Sequence, residues 1–127
     1  MILFDGFRFG SITPTDVDAV VEYHGERIVL IEFKHAGAPV DRGQRVALER
    51  WIDAMGPRRC PDCNRTIAAP MIACCMVADH FIKNPAAPVR AIEATVRNIY
   101  RDRSWRPPER RTPLFDAVGD FLLAEKK

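Results

Sequence analysis

The sequence predicts one α/β domain, a mixed β-sheet with helices on its faces. Three observations carry that expectation. Two short β-branched runs flank a Gly-containing turn within residues 16–34. A continuous apolar run from Ala68 to Ala78 has the character of a buried central strand. Apolar residues recur at helical spacing between Leu48 and Met55 and again between Leu114 and Leu122. At 127 residues the chain, taken as a single domain over 1–127, is long enough for a substantial core.

Residues 1–15, punctuated by Gly6, Gly10, Ser11 and Pro14, read as loop or weakly extended chain. The hairpin follows. Val17, Ala19, Val21 and Tyr23 share one face of the first strand, and Val29, Ile31 and Phe33 share one face of the second. Pairing Tyr23 with Arg27 across a His24-Gly25-Glu26 loop puts both apolar rows on the same side, although Gly25 falls one residue before the usual left-handed position of such a loop. A one-residue slip would scatter both rows and is disfavoured.

His35 to Val40 is a loop, and Asp41 with Gln44 three residues later resembles a capping box. Leu48, Trp51, Ile52 and Met55 form the buried stripe of the ensuing helix, which Gly56-Pro57 ends. Residues 57–66 form a polar, basic loop carrying Cys60 and Cys63. After the Ala68–Ala78 strand, Pro85 and Pro88 break the chain. Val89, Ile92, Val96 and Ile99 then fit a helix, while Val96 to Trp105 fits an edge strand equally well. Thr112 caps a last helix with Pro113 at its first position and Leu114, Val118, Phe121 and Leu122 as its stripe; Trp105 is expected to pack beneath it.

No apolar run approaches the length of a membrane span, and the first residues do not resemble a signal peptide, so a cytoplasmic protein without membrane contact is expected. In that compartment Cys60, Cys63, Cys74 and Cys75 are thiols or metal ligands rather than disulfides. One zinc arrangement would join Cys60 and Cys63 to His80 and one of Cys74 or Cys75; unligated thiols are the simpler alternative. Net charge is only +2, but arginines cluster. Arg97, Arg101, Arg103, Arg106, Arg110 and Arg111 crowd one segment, and Arg58, Arg59 and Arg65 another. The first group, Arg97, Arg101, Arg103 and Arg106 above all, suits a phosphate backbone; a solvated basic surface is the plain alternative.

The remaining face of the hairpin collects Asp16, Asp18, Val20, Glu22, Ile28, Leu30, Glu32 and Lys34. In the register above, Asp18 opposes Glu32 and Asp16 opposes Lys34, at Cβ separations of about 4.5–5.5 Å. Val20 and Leu30 on that face imply partial cover. Charges inside so apolar a run are costly unless they pair or bind something, and a shared cation is one economical reason for them. Gln44, one turn before Leu48, points from the helix toward the same carboxylates. A solvated ion-paired hairpin end, with Gln44 as a mere cap, is the competing structural explanation.

An Asp opening one strand, Glu32-Phe33-Lys34 closing the next and Gln44 on the following helix together resemble the PD-(D/E)XK nuclease superfamily. Residues 13–52 are similar to its small phage and prophage members. The resemblance implies a restriction-endonuclease-like fold and Mg²⁺- or Mn²⁺-dependent hydrolysis of phosphodiester bonds in DNA. It makes Asp18, Glu32 and the Phe33 carbonyl the metal ligands, Lys34 the catalytic base or charge stabiliser, and Gln44 an accessory residue. Asp16 is the second candidate ligand. The family core usually opens with a helix, whereas only a Gly-punctuated lead precedes Asp16 here. That departure fits a minimal domain, a homodimer completing the wall, or loss of activity. In the last case the chain would be an inactive nuclease-fold protein that binds nucleic acid or inhibits a partner.

Overall fold

The computed structural model describes residues 17–82, 84 and 86–124. Strands β1 (Ala19–Tyr23) and β2 (Arg27–His35) form the expected antiparallel hairpin, with Tyr23 opposite Arg27 and Ala19 opposite Ile31. The turn explains how an early glycine keeps that register. His24 and Gly25 both adopt left-handed backbone, at φ 52° and 69°, and Tyr23 O accepts the Glu26 N–H at 2.9 Å. Two successive left-handed residues make a turn of the twist a hairpin favours, and Gly25 takes its share without steric cost.

The chain continues through α1 (Arg42–Ala54), β3 (Arg58–Arg59), β4 (Thr66–Ile67), β5 (Ile72–His80), β6 (Thr95–Arg101), β7 (Ser104–Arg106) and α2 (Leu114–Leu122). Five strands form one mixed sheet in the order β1-β2-β5-β6-β7, while β3 and β4 pair only with each other. β2 and β5 are parallel, from Arg27 opposite Ile72 to His35 opposite His80; every other pair is antiparallel. Parallel neighbours need a crossover, and α1 supplies it across one face of the sheet.

Two apolar layers result. Val29, Ile31, Cys74, Met76, Ala78 and Val96 pack against Leu114 and Phe121 of α2. On the other face Leu30, Cys75 and Tyr100 pack against Leu48 and Ile52 of α1. Tyr100 also donates its hydroxyl to Asp53 at 2.8 Å, and Trp105 donates its indole N–H to Glu49 at 2.7 Å, so two strands are tied to α1 by polar as well as apolar contacts. Arg27, only 5 % exposed, donates to the Phe121 carbonyl and lies over that residue's ring, fastening the end of α2 to the start of β2.

Several expectations are corrected. Of the two readings of Val96 to Trp105 the strand holds, as β6 and the edge strand β7, while the helix over Val89 to Ile99 does not form: one short 3₁₀ turn (Ala91–Glu93) precedes β6. A bulge accounts for the misleading spacing. Val77 faces Asn98 but the next residue, Ala78, faces Val96, leaving Arg97 as the extra residue. Val96 and Ile99 therefore join the same layer although an odd number of residues apart. Trp51 is 39 % exposed rather than buried, and Trp105 packs toward α1 rather than beneath α2. Val17, just outside β1, sits with the α1 layer instead of sharing the face of Ala19. The central strand begins at Ile72 and runs to His80, two residues past its expected end, while Ala68 to Pro70 are exposed. Neither Asp41 nor Thr112 caps its helix through a side chain. The residues before 17, Asp16 included, lie outside the described residues. No helix among the described residues is long and apolar enough to cross a membrane.

Leu48 is fully buried between α1 and the sheet. Leu48→Ala should cost about 2–5 kcal/mol in urea unfolding, whereas Trp51→Ala, at an exposed position, should cost less than about 1 kcal/mol.

Candidate active site

The charged residues on the covered face gather at the end of the sheet away from the hairpin turn. Asp18 immediately precedes β1, and its Oδ2 accepts the Phe33 N–H at 2.8 Å. That bond extends the ladder by a step and holds Asp18 across from Glu32. Asp18 remains exposed, while Glu32 is buried to 4 % exposure. Lys34, two residues on and so on the same face, brings its Nζ to 3.8 Å from Glu32 Oε1. Gln44 rides the first turn of α1, half-buried, with its amide beside Glu32.

Glu32 is the electrostatic centre of this group. Burial foremost, and then the facing Asp18 carboxylate, raise its pKa from 4.5 to about 7; the Gln44 amide and the Lys34 ammonium pull it back only in part. Its Oε2 is buried without a hydrogen-bond partner. Two carboxylates facing each other, one with an orphaned oxygen, form a hard-oxygen donor pair suited to a divalent cation. A main-chain donor is at hand. The N–H and C=O of one strand residue leave the same side of the strand, so the Phe33 carbonyl is directed, like its N–H, toward Asp18. Among the described residues no three His, Cys, Asp or Glu side chains converge to hold an ion, so the backbone would have to provide the third ligand. Asp16, the second candidate acid, lies outside the described residues.

The structure thus brings together Asp18, Glu32, Lys34, Gln44 and Phe33. It does not bring the arginine segment to them as a unit. Arg97, the bulge residue, is occupied by protein: it ion-pairs with Asp79 and donates to the carbonyls of Ala38 and His35. It fastens the loop that follows Lys34. Arg101 lies over the Phe121 ring and beside Asp102, and Arg103 is in the tight turn after β6, at φ 63°. Both line a cavity of about 360 Å³ with Asp53 and Ile72, at the opposite end of the sheet from Glu32. Arg106 is exposed on the edge strand.

Two nearby residues were not anticipated. Asp79 opposes Lys34 in the parallel ladder, putting a third acid on the site's face; ending the strand at Ala78 hid it. Arg45, next to Gln44, pairs with Glu49 at 3.7 Å and lines a groove of about 370 Å³ with Val77, Arg97, Asn98 and Trp105. Val77 is the ladder neighbour of Glu32, so that groove opens beside the carboxylates. Cys74 and Cys75 are buried in β5 and point to opposite layers, and burial pushes each thiol up to about 12.

The raised Glu32 pKa has a consequence for stability. The folded state holds a proton that the unfolded state has released between 4.5 and about 7, so stability falls as pH rises through that window. The loss should be on the order of 3 kcal/mol and complete above the folded pKa. In metal-free protein, thermal melting should show this decline; Glu32→Gln should flatten it, and Mg²⁺ added at high pH should restore stability to the wild type alone.

Set against protein-family models, curated proteins and solved structures, the chain matches none at a significant level.

Proposed function

We propose that this chain is a divalent-metal-dependent nuclease of restriction-endonuclease-like fold that hydrolyses phosphodiester bonds in DNA. The observation that carries the reading is the buried Glu32 carboxylate, half unpartnered, facing Asp18 and flanked by Lys34 and Gln44. A structural ion pair alone does not account for it. Lys34 lies 3.8 Å from Glu32, yet burial and the exposed Asp18 carboxylate still raise the Glu32 pKa to about 7, so above that pH the buried charge needs a further neutralising partner.

Mg²⁺ or Mn²⁺ would be held by the carboxylates of Asp18 and Glu32 and by the Phe33 carbonyl. When bound, such an ion supplies charge neutralisation at the scissile phosphate and a more acidic water. The protein's own groups do the rest. Lys34, half-buried beside Glu32 as the ammonium, orients the attacking water and offsets negative charge as it develops. Gln44, fixed on α1, positions that water or a phosphate oxygen through its amide. The exposed position of Asp18 leaves the group open to a substrate as large as nucleic acid. Arg106 is an exposed cation available for the phosphate backbone. The choice of DNA and the small phage-type relationship rest on the resemblance of residues 13–52, and a cytoplasmic setting on the lack of a membrane-length apolar run or signal peptide in the sequence.

A plasmid-nicking assay with Mg²⁺ or Mn²⁺ tests the reading. Cleavage should need the metal and stop on chelation. Lys34→Ala should lower the rate by about 10²–10⁴-fold with metal binding largely retained, and Glu32→Gln should damage both. Equal cleavage by wild type and Lys34→Ala would refute the assignment. DNA binding without cleavage, unchanged by Asp18→Asn, would instead identify a binding or inhibitory protein on the same framework. In salt titrations of DNA binding, Arg106→Ala should reduce the slope by about one, whereas Arg97→Ala should chiefly lower the melting temperature.

A further inference from the structure

The hairpin of β3 and β4 is not accounted for by the sheet, the core or the candidate active site. It stands apart from the five-stranded sheet, and every residue from Pro61 to Pro70 is exposed, including Ile67 at 40 %. Its turn is nevertheless well built. Cys60 N–H donates to Arg65 O at 2.8 Å, Asn64 N–H donates to Cys60 O at 2.9 Å, and Asn64 takes a left-handed conformation, φ 58°, held by Arg59. Both cysteines belong to this one turn, and the nearby backbone N–H groups of Cys63 and Asp62 hold the Cys60 thiol below its ordinary pKa. Both cysteines are free, and Cys63 is exposed.

From this geometry we propose that Cys60 and Cys63 form half of a tetrathiolate zinc site, completed by the same two residues of a second copy of the chain. A pair of sulfurs on one tight turn, with backbone N–H donors steadying the thiolate form, is a bidentate ligand for a soft divalent ion. Zinc in a closed structural site takes four such ligands. The described residues do not supply the other two. Cys74 and Cys75 are buried within β5, and among the described residues no third His, Cys, Asp or Glu joins the pair. The open side of the turn faces solvent, where a partner can reach it.

Charge favours the same arrangement. Four thiolates around one Zn²⁺ leave the centre doubly negative, and each copy brings Arg58, Arg59 and Arg65 on the same hairpin, Arg58 close enough to act on the Cys60 charge. Without metal those six arginines repel, so the association depends on the ion. This site is independent of the nuclease reading and takes a different class of metal.

Cobalt(II) titration of the reduced full-length chain, with sedimentation equilibrium in parallel, tests the proposal. Expected are thiolate-to-cobalt charge-transfer and tetrahedral ligand-field bands that saturate at one metal per two chains. Zinc should double the sedimenting mass, and chelation should reverse it. Cys60→Ser and Cys63→Ser should each abolish the bands and the change in mass, with the melting transition unchanged because the hairpin lies off the core. Bands that survive either substitution, saturation at one metal per chain, or metal binding with no change in mass would overturn it.

Discussion

The register of β1 against β2 is the constraint on which the rest depends. Both ends of the hairpin fix it. At the turn, two left-handed residues set Tyr23 against Arg27; at the open end, the Phe33 N–H reaches the Asp18 carboxylate. A slip of one residue would carry Asp18 away from Glu32 and turn Val29 and Ile31 out of the layer beneath α2. Core and site therefore select the same alignment, and neither has to be sacrificed to the other. Such agreement between local turn chemistry and long-range packing is what allows a costly charged group to persist in a folded domain.

The cost is real, and the cover over Glu32 explains how it is met. β1 is an edge strand, and Val20 on it stays 51 % exposed, so the hairpin alone would leave the carboxylates wet. Cover comes from α1, which the parallel pairing of β2 with β5 obliges to cross the sheet on this face. Once there, α1 is held by Leu48 and Ile52 in the core and by the Tyr100–Asp53 and Trp105–Glu49 hydrogen bonds. Its first turn brings Gln44 to Glu32. Arg97 does comparable work at the loop between Lys34 and α1, tying the carbonyls of His35 and Ala38 to Asp79 on β5. The bulge that spoils the periodicity of β6 is what aims that guanidinium.

The parts legible in the sequence are those where side-chain period and packing coincide. The apolar rows from Ala19 and from Val29 onward, the stripe of α2 and the meeting of Asp18, Glu32, Lys34 and Gln44 follow from alternation or helical spacing, and the central strand, apart from its ends, from its continuous apolar run. The illegible parts have specific causes. Val89, Ile92, Val96 and Ile99 mimic a helix because a one-residue bulge shifts the strand period, and a bulge has no composition of its own here. Trp51 lies one residue from buried Ile52 on a helix that covers only part of the sheet, so its ring falls at the rim. Arg97 is indistinguishable in sequence from Arg101 and Arg103, yet Asp79 lies within its reach. Asp79 was itself hidden because an acid at the end of an apolar run looks like the start of a loop.

The two proposed metal sites are far enough apart to act separately. Gln44 sits at the first turn of α1, and the hairpin of β3 and β4 follows its last; the helix has 13 residues, which spans about 20 Å. Screening at physiological ionic strength acts over about 8 Å, so an ion at Cys60 and Cys63 would not alter the field at Glu32. Donor chemistry separates them further, since carboxylate and carbonyl oxygens suit Mg²⁺ or Mn²⁺ while thiolates suit zinc. A dimer joined through the cysteine hairpins would leave both carboxylate sites at the opposite ends of their sheets, uncovered by the partner. Joining copies at one end while the proposed chemistry proceeds at the other would ask nothing of the core between them except rigidity, and the fully buried Val29, Leu48 and Cys74 lie in that intervening span.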